Sequence, residues 1–367
     1  MSKQVHKSWP SINQFRQVVR EVKSRATFKG LDDNGAPTFD PFAPMPTLTF
    51  EGSVKAHGTN ASVACEFPKY NEFWAQSRER ILTIDDDNYG WAKYAQQHKE
   101  TFINLLTSAA HHKVDYNLTH YSIFGEWCGQ GVQKGVGISN VPKMFIIFGI
   151  VAWSAGKNED EDVQRVYFTP TEFKHTIAYA KEIAGFNTEA WPENLFTIYD
   201  FQTYTMDINF NEPELAQNKL ADLTVAVEQQ CPIAQHFGVE GVGEGIVWKC
   251  VTPGYEQSRF MFKVKGEKHS SSKVKTLASV DVEKVNSINE FADTVVTESR
   301  LTQGLEYLKV NNISIEPKST PVFLKWIADD VVKEETDTLV ASHLEIKDVI
   351  TRVKYVARTW FLAQEEM

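Results

Sequence analysis

The run Lys55-Ala56-His57-Gly58-Thr59-Asn60 follows an extended apolar stretch at 48–54 and precedes another at 61–65. The pattern predicts strand, tight turn, strand, with an amine at the turn and little room around it. A lysine held in such a site can lose its proton and act as a nucleophile. A solvated hairpin lysine is the ordinary alternative. What favours chemistry is the set of charged residues that follows.

Arg78 ends the short strand-like run Trp74-Ala75-Gln76-Ser77 and can clamp a phosphate or sugar bidentately, with Ser77 as the alternative register. Glu126 lies inside Ile123-Phe124-Gly125-Glu126-Trp127, where burial of a carboxylate requires a partner. Behind it, the glycines of residues 128–135 permit close backbone approach to a ligand. Glu244 stands between Gly243 and Gly245 at the mouth of the apolar run Ile246-Val247-Trp248, positioned for a metal ion or a protonated lysine. These glycines make no dinucleotide fingerprint, because Ile246 stands where the third would be. In Phe260-Met261-Phe262-Lys263-Val264-Lys265, strand alternation sends both lysines to one face and Phe260, Phe262 and Val264 to the other. Two adjacent cations under an apolar sheet need an anion between them.

The elements that must position these residues follow from periodicity. A helix is predicted over 11–29, capped by Ser11, with Phe15, Val18, Val19 and Val22 on its apolar face. Residues 32–46 read as a loop. Strands are expected at 48–55, 61–67, 72–77, 119–127, 144–152, 164–169, 245–251 and 259–265, and helices at about 91–112, 170–184 and 213–230. From Val280 onward amphipathic helices take over, the last with Val349, Val353, Val356, Trp360 and Phe361 on its apolar face. The run 270–275 is the candidate linker. The 367 residues have room for two domains, and the 42% hydrophobic content suits a globular chain. There is no apolar run for a membrane span and no signal-peptide core. The four cysteines, Cys65, Cys128, Cys231 and Cys250, form no Cys-x-x-Cys pair, so neither zinc nor a disulfide framework is expected, and a reducing cytoplasm is. A net charge of −10 weighs mildly against nucleic-acid binding, but Arg259, Lys263, Lys265, Lys268, Lys273 and Lys275 face one acid, Glu267, in a block suited to phosphates.

A lysine nucleophile, an arginine, two glutamates and a lysine pair, in this order, resemble a covalent nucleotidyltransferase. That superfamily contains polynucleotide ligases and messenger-RNA capping enzymes. Within it the chain most resembles the RNA ligase 2 family, the nick-sealing type that includes phage and kinetoplastid editing ligases. The resemblance rests on Lys55-Ala56-His57-Gly58-Thr59-Asn60, on Phe124-Gly125-Glu126 and on Gly131-Val132-Gln133-Lys134. DNA ligases and capping enzymes, the nearest enzymatic rivals, carry Asp where this chain has His57. A DNA ligase also usually adds an OB-fold where this chain turns helical. The rival from another class is a non-catalytic RNA-binding relative.

The resemblance implies an α+β fold. A nucleotidyltransferase (ATP-grasp-like ligase) domain of antiparallel sheets with flanking helices would span 1–275. A small all-α domain at 280–367 would dock RNA through Arg300, Lys347, Arg352, Lys354 and Arg358. It further implies ATP and Mg²⁺ as cofactors, RNA as partner and a monomeric state. Lys55 would carry AMP, with His57, Asn60 and Arg78 beside the nucleotide. Glu126 would bind the ribose, Phe148 would stack on adenine, Glu244 would serve the metal or the lysine, and Lys249 would add a polar contact. Lys263 and Lys265 would bind the α-phosphate and lower the pKa of Lys55. In two places the chain departs from the family pattern. Val54 replaces an acid that helps some members read adenine, and Gly149 stands where an Asp is common.

Overall fold

The structure, a computed structural model, describes residues 4–69, 72–113, 118–154, 165–186, 190–270, 288–341 and 344–364. In chain order the elements begin with α1 (Phe15–Thr27), β1 (Phe28–Leu31), β2 (Pro37–Phe39), β3 (Thr47–Val54), β4 (Thr59–Glu66), β5 (Trp74–Ser77) and β6 (Ile81–Leu82). Then come α2 (Trp91–Gln97), α3 (Lys99–His112), β7 (Leu118–Cys128), β8 (Met144–Ser154), β9 (Arg165–Tyr167), α4 (Pro170–Phe186), β10 (Leu195–Thr197) and β11 (Thr203–Asn209). The chain continues through α5 (Gln217–Gln229), α6 (Pro232–His236), β12 (Gly245–Cys250) and β13 (Phe262–Lys265). It finishes with the helices α7 (Ile288–Val295), α8 (Glu298–Val310), α9 (Thr320–Ala341) and α10 (Ile346–Ala363). The fold is α+β, as expected. The chain divides into two compact units: Met1–Ser11, Thr49–Met206 and Ala226–Met261 form one, and Ile12–Leu48, Asp207–Val225 and Phe262–Met367 the other. No helix of the described residues is long and apolar enough to cross a membrane.

In the first unit the large sheet runs β10-β8-β7-β4-β5-β6, with β9 also on β8. Its pairings are antiparallel except β10 on β8. One face sends Tyr121, Ile123, Phe145 and Ile147 into a core with Trp91, Phe102 and Leu105 from α2 and α3. Alternation turns Glu126, its register partner Ile146 and Phe148 to the opposite face. Strand β3 pairs antiparallel with β12, placing Glu51 opposite Lys249 and Ser53 opposite Val247. The Lys55 amide continues this ladder by donating to Gly245 O at 2.8 Å. The expected strand, tight turn and strand around Lys55 are present, but not as the alternative hairpin: β3 pairs with β12 and β4 with β5 and β7, so the turn at 55–58 carries the chain from one sheet to another. An indole explains the choice of partner. A Cβ at Gly52 would lie 2.8 Å from the Trp248 ring, so β3 and β12 fit as a matched pair.

In the second unit α1 starts at Phe15, not Ser11, because Gln14 N donates to Gln17 Oε1 at 2.7 Å and fixes the first turn there. Its buried face is the expected Phe15, Val18, Val19 and Val22. Phe15 packs on Phe262, centroids 4.8 Å apart. The expected loop at 32–46 contains β2, paired with β1, because Asp32 Oδ1 accepts from Asn34 N and Ala36 N, both at 2.8 Å, and closes a tight turn. Helices α7 to α10 enclose Phe291, Leu308, Phe323, Ile327, Val349, Val353 and Phe361. In α10, Ala357 rather than Val356 reaches the buried stripe, and Trp360 stacks on Phe323 at 16°. Two further expected elements are cut shorter. The helix at 91–112 divides at His98, and the strand at 259–265 begins only at Phe262, after a 3₁₀ turn at Ser258–Phe260. Residues 271–275 of the expected linker and 280–287 of the helical tail lie outside the described residues.

Candidate active site

The turn at 55–58 brings an amine and two carboxylates together. Lys55 Nζ lies 2.8 Å from Glu244 Oε2, and His57 Nδ1 lies 3.2 Å from the same oxygen. Glu244 is only 3% exposed. Burial alone would lower the Lys55 pKa, but the charges of Glu244 and Glu126 outweigh it and raise the pKa, with Arg78 opposing them. The expected lowering by Lys263 and Lys265 is thus replaced by the pull of two carboxylates, and Lys55 is held as an ammonium.

Gly58 is gripped from both sides. Its N–H donates to Glu126 Oε1 at 3.1 Å, and its carbonyl accepts from Gln133 Nε2 at 3.4 Å. A Cβ there would sit 2.3 Å from Trp127 O, so the turn demands glycine. Burial pushes the Glu126 carboxyl up to about 7; Glu244 adds to this, while Lys55, His57 and the Gly58 N–H oppose it. Asn60 faces Glu126 across the β4–β7 ladder, and its Oδ1 is buried with no hydrogen-bond partner. An orphaned acceptor beside the Lys55 turn is what a ligand hydroxyl or amide would satisfy.

Ser77 and Arg78 lie in different surroundings. Ser77 is buried, its Oγ accepting from Glu79 N and Arg80 N at 3.3 Å each. Arg78 is half exposed, donates to Ser11 Oγ at 3.2 Å, and is the residue whose charge acts on Lys55.

Farther along the face that carries Lys55 lie Glu51 and Lys249. The Lys249 ammonium donates to Phe148 O and sits 5.3 Å above the Trp9 ring and 5.8 Å from that of Phe148. Burial lowers its pKa to about 8, with Glu51 opposing. Glu51 Oε2 accepts from Tyr199 OH at 3.0 Å. Trp9 meets Phe148 edge to face, centroids 5.0 Å apart at 78°. An open cleft is lined here by Trp9, Phe148, Tyr167, Tyr199, Lys249 and Glu256, among others. The two departures from the family pattern now have a physical setting. Gly149 admits Trp9, whose ring would be 2.5 Å from a Cβ at that position. Val54 is buried, one residue out of phase with Lys55 along β3, whereas Glu51 shares the phase of Lys55. Trp9, Glu51 and Tyr199 escaped sequence reading, because only long-range packing brings them here.

Lys263 and Lys265 belong to the second unit. Lys263 Nζ pairs with Glu334 Oε1 at 2.7 Å. Although burial raises the Glu334 pKa, the charges of Lys263, Arg300 and Lys265 prevail and hold its carboxyl far below the usual range. A protein carboxylate thus supplies an anion beside the lysines. Arg300 is fully buried, bound to Asp330 Oδ2 at 2.8 Å and Glu334 Oε2 at 3.3 Å, with Glu335 at 3.6 Å. Its expected part in docking RNA is corrected: the guanidinium is enclosed and already neutralised by three acids. Lys347, Lys354 and Arg358 are exposed on α10, and Arg352 is partly buried beside Tyr355.

The sequence profile of the RNA ligase family matches residues 48–265. The chain belongs to the RNA ligase family. Among curated proteins no similar sequence was found. Among solved structures, the fold is similar to the Naegleria gruberi RNA ligase with PPi at 15% identity and TM-score 0.40, covering 71% of this chain and 56% of that one. A point mutant of that enzyme with AMP and Mn gives 14% identity and TM-score 0.41 over the same shares, 71% and 56%. Another, with ATP and Mn, gives 15% identity and TM-score 0.40, again over 71% and 56%. This chain therefore spans little more than half the length of those solved chains, 56%.

For a member of this family the fit of a divalent ion can be tested on the donors. Among the described residues no three His, Cys, Asp or Glu side chains converge to hold a metal. Glu244 and Glu126 offer hard oxygen donors next to Lys55. Magnesium typically takes one or two carboxylates and completes its shell with water and phosphate. Glu244 and Glu126 fit that limited share of such an ion's shell.

Proposed function

We propose that this chain is an ATP-dependent RNA ligase that joins a 3′-hydroxyl to a 5′-phosphate through a lysyl-AMP intermediate and an adenylylated RNA end. The observation that carries the reading is one amine, Lys55 Nζ, lying 2.8 Å from Glu244 and under the opposed charges of Glu126 and Arg78. In the first step Nζ loses a proton and attacks the α-phosphorus of ATP. A P–N bond forms, the bond to the bridging oxygen breaks, and pyrophosphate leaves. Next, an RNA 5′-phosphate oxygen attacks the same phosphorus and the P–N bond breaks, returning the amine. Finally the 3′-hydroxyl, losing its proton, attacks the RNA phosphorus and AMP leaves.

Each step is phosphoryl transfer, in which positioning and charge neutralisation dominate. Glu244 and His57 fix the Nζ position before attack, and whatever neutralises Glu244 frees Lys55 to become the neutral amine. Arg78 would clamp the nucleotide, Glu126 and Asn60 would take the ribose, Phe148 would stack on the base, and Lys249 would hold the Phe148 strand. Lys263 and Lys265 would neutralise the α-phosphate in exchange for Glu334. A magnesium ion on Glu244 would supply charge neutralisation at the phosphates. We assign nucleotide handling to residues 1–275 and RNA docking to the helical region at 280–367, in a monomeric enzyme acting on nicked RNA inside the cell.

Incubation with α-labelled ATP and magnesium, followed by a denaturing gel, tests the reading. Covalent label on the wild type and none on Lys55→Ala is expected, while Lys55→Ala still seals a pre-adenylated nick. Label retained by Lys55→Ala would overturn the assignment. A parallel GTP reaction tests capping chemistry, and nicked RNA against nicked DNA tests the substrate.

A further inference from the structure

The segment before α1 carries none of the motif residues, yet it touches three of them. It lies along β5. His6 Nε2 is 3.0 Å from Ser77 O, and Gln76 Nε2 donates to Lys7 O at 2.7 Å. Gln76 is fully buried, so this anchor is shielded from competing water. From there the segment sends one ring inward. Trp9 is 6% exposed and packs edge to face on Phe148, at 5.3 Å on Phe124 and at 5.8 Å on Tyr167. The same ring lies 5.3 Å from the Lys249 ammonium. Two residues on, Ser11 Oγ accepts from Arg78.

We propose that the strap at residues 6–11 is part of the nucleotide pocket, with Trp9 as the positioning residue for Phe148 and Lys249 and Ser11 as the positioning residue for Arg78. This inference rests on the nucleotide reading above. The physical argument is one of restraint. Phe148 is only partly buried, and its ring needs a fixed plane if a base is to stack on it. The edge-on indole supplies that wall, and Gly149 supplies the space, since any side chain there would strike the indole. The indole face also stabilises the partly buried ammonium of Lys249, for which the described residues show no carboxylate within ion-pair distance. Arg78, half exposed, would otherwise sample many rotamers, and the tether to Ser11 reduces that freedom before a phosphate arrives.

Initial rates of AMP attachment against ATP concentration test the proposal in the full chain. Trp9→Ala is expected to raise the KM for ATP about tenfold, with kcat changed far less. Trp9→Phe should recover most of that loss. Gly149→Ala should reproduce the rise in KM with the tryptophan still in the chain, and Ser11→Ala should raise KM more mildly. Thermal melts accompany each variant. If Trp9→Ala fails to fold, Gly149→Ala and Ser11→Ala carry the decision. Wild-type KM in folded Gly149→Ala and Ser11→Ala, or equal falls in kcat and kcat/KM in Trp9→Ala, would overturn the proposal. A wild-type chain that takes no label from ATP would sink the ligase reading and this inference with it; a labelled wild type with indifferent variants sinks this inference alone.

Discussion

Lys55 and Glu244 form an ion pair at 2.8 Å, and if Lys55 is the nucleophile proposed above, that pair must part before it reacts, which sets the pH dependence. With the carboxylates present the Lys55 pKa is raised, so the neutral amine becomes abundant only on the alkaline side. In Glu244→Gln, burial and Arg78 act with less opposition, and the pKa falls. The ascending limb of the rate of AMP attachment against pH should then move to lower pH, even as the maximal rate drops. A pH–rate profile with an unmoved limb would contradict this. Glu126 gives the opposite sign in stability. Its folded pKa of about 7 exceeds the ordinary carboxylate value. Between the two values the folded chain holds more protons than the unfolded one, so stability falls as pH rises through that window. Glu126→Gln removes this term while keeping an acceptor for the Gly58 N–H. It should therefore gain on the wild type between pH 5 and pH 8, by an amount on the order of 1–3 kcal/mol. Urea melts at both pH values measure it, and a constant difference would count against the buried carboxylate.

At the scale of elements, the turn between β3 and β4 shows what the chain reveals locally and what it hides. Alternation placed the strands around Lys55 and Glu126 correctly, because one apolar face per strand leaves a period of two in the sequence. The pairing partners left no such trace. β3 joins β12, nearly two hundred residues on, and a hairpin has the same local pattern. The α10 stripe was likewise readable at Val349, Val353 and Phe361 but slipped at Val356, where a helix with several apolar residues can present more than one stripe. Lys55, Glu126 and Glu244 stood out because a charge inside an apolar run is costly without a purpose. The enclosure of Arg300, which is more deeply buried than Lys55 or Glu126, left no such sign, since its three acids arrive from α9. Gly58 tests the turn itself. Gly58→Ala would press a methyl group onto Trp127 O, which is backbone and cannot rotate away. AMP attachment should fall by about 100-fold, the cost of misplacing a reacting group by roughly 1 Å. A variant that stays folded with wild-type labelling would show that the turn has slack.

At the scale of the whole molecule, the helical region shares the second unit with α1, although α1 ends at Thr27 and α7 begins only at Ile288. Arg16 of α1 is 3% exposed and is bound to Glu335 at 3.1 Å and Asp337 at 2.6 Å, both on α9. Arg20 adds a second cation, 3.2 Å from Asp337. Breaking a buried pair from one side leaves an uncompensated charge, which typically costs about 3–5 kcal/mol. Arg16→Met should therefore destabilise the full chain by an amount of that order, with Glu335 and Asp337 left behind. The sign reverses when the partners are absent. In a chain ending near Ser279, Arg16 itself is the stranded charge, and Arg16→Met should stabilise that fragment. The same fragment is expected to react with ATP, because Lys55, Arg78, Glu126 and Glu244 all lie in the first unit. It should seal nicked RNA poorly, because A-form duplexes are gripped through shape, phosphates and 2′-hydroxyls on both sides of a break. Lys347, Lys354 and Arg358, exposed on α10, would supply such contacts in the full chain, whereas Arg300 is enclosed. Denaturation midpoints of the four proteins, with labelling and sealing measured on the same preparations, decide the matter. Full sealing without the tail would defeat the docking role, and the same sign for Arg16→Met in both backgrounds would show that the α1–α9 ion pairs do not couple the two ends of the chain.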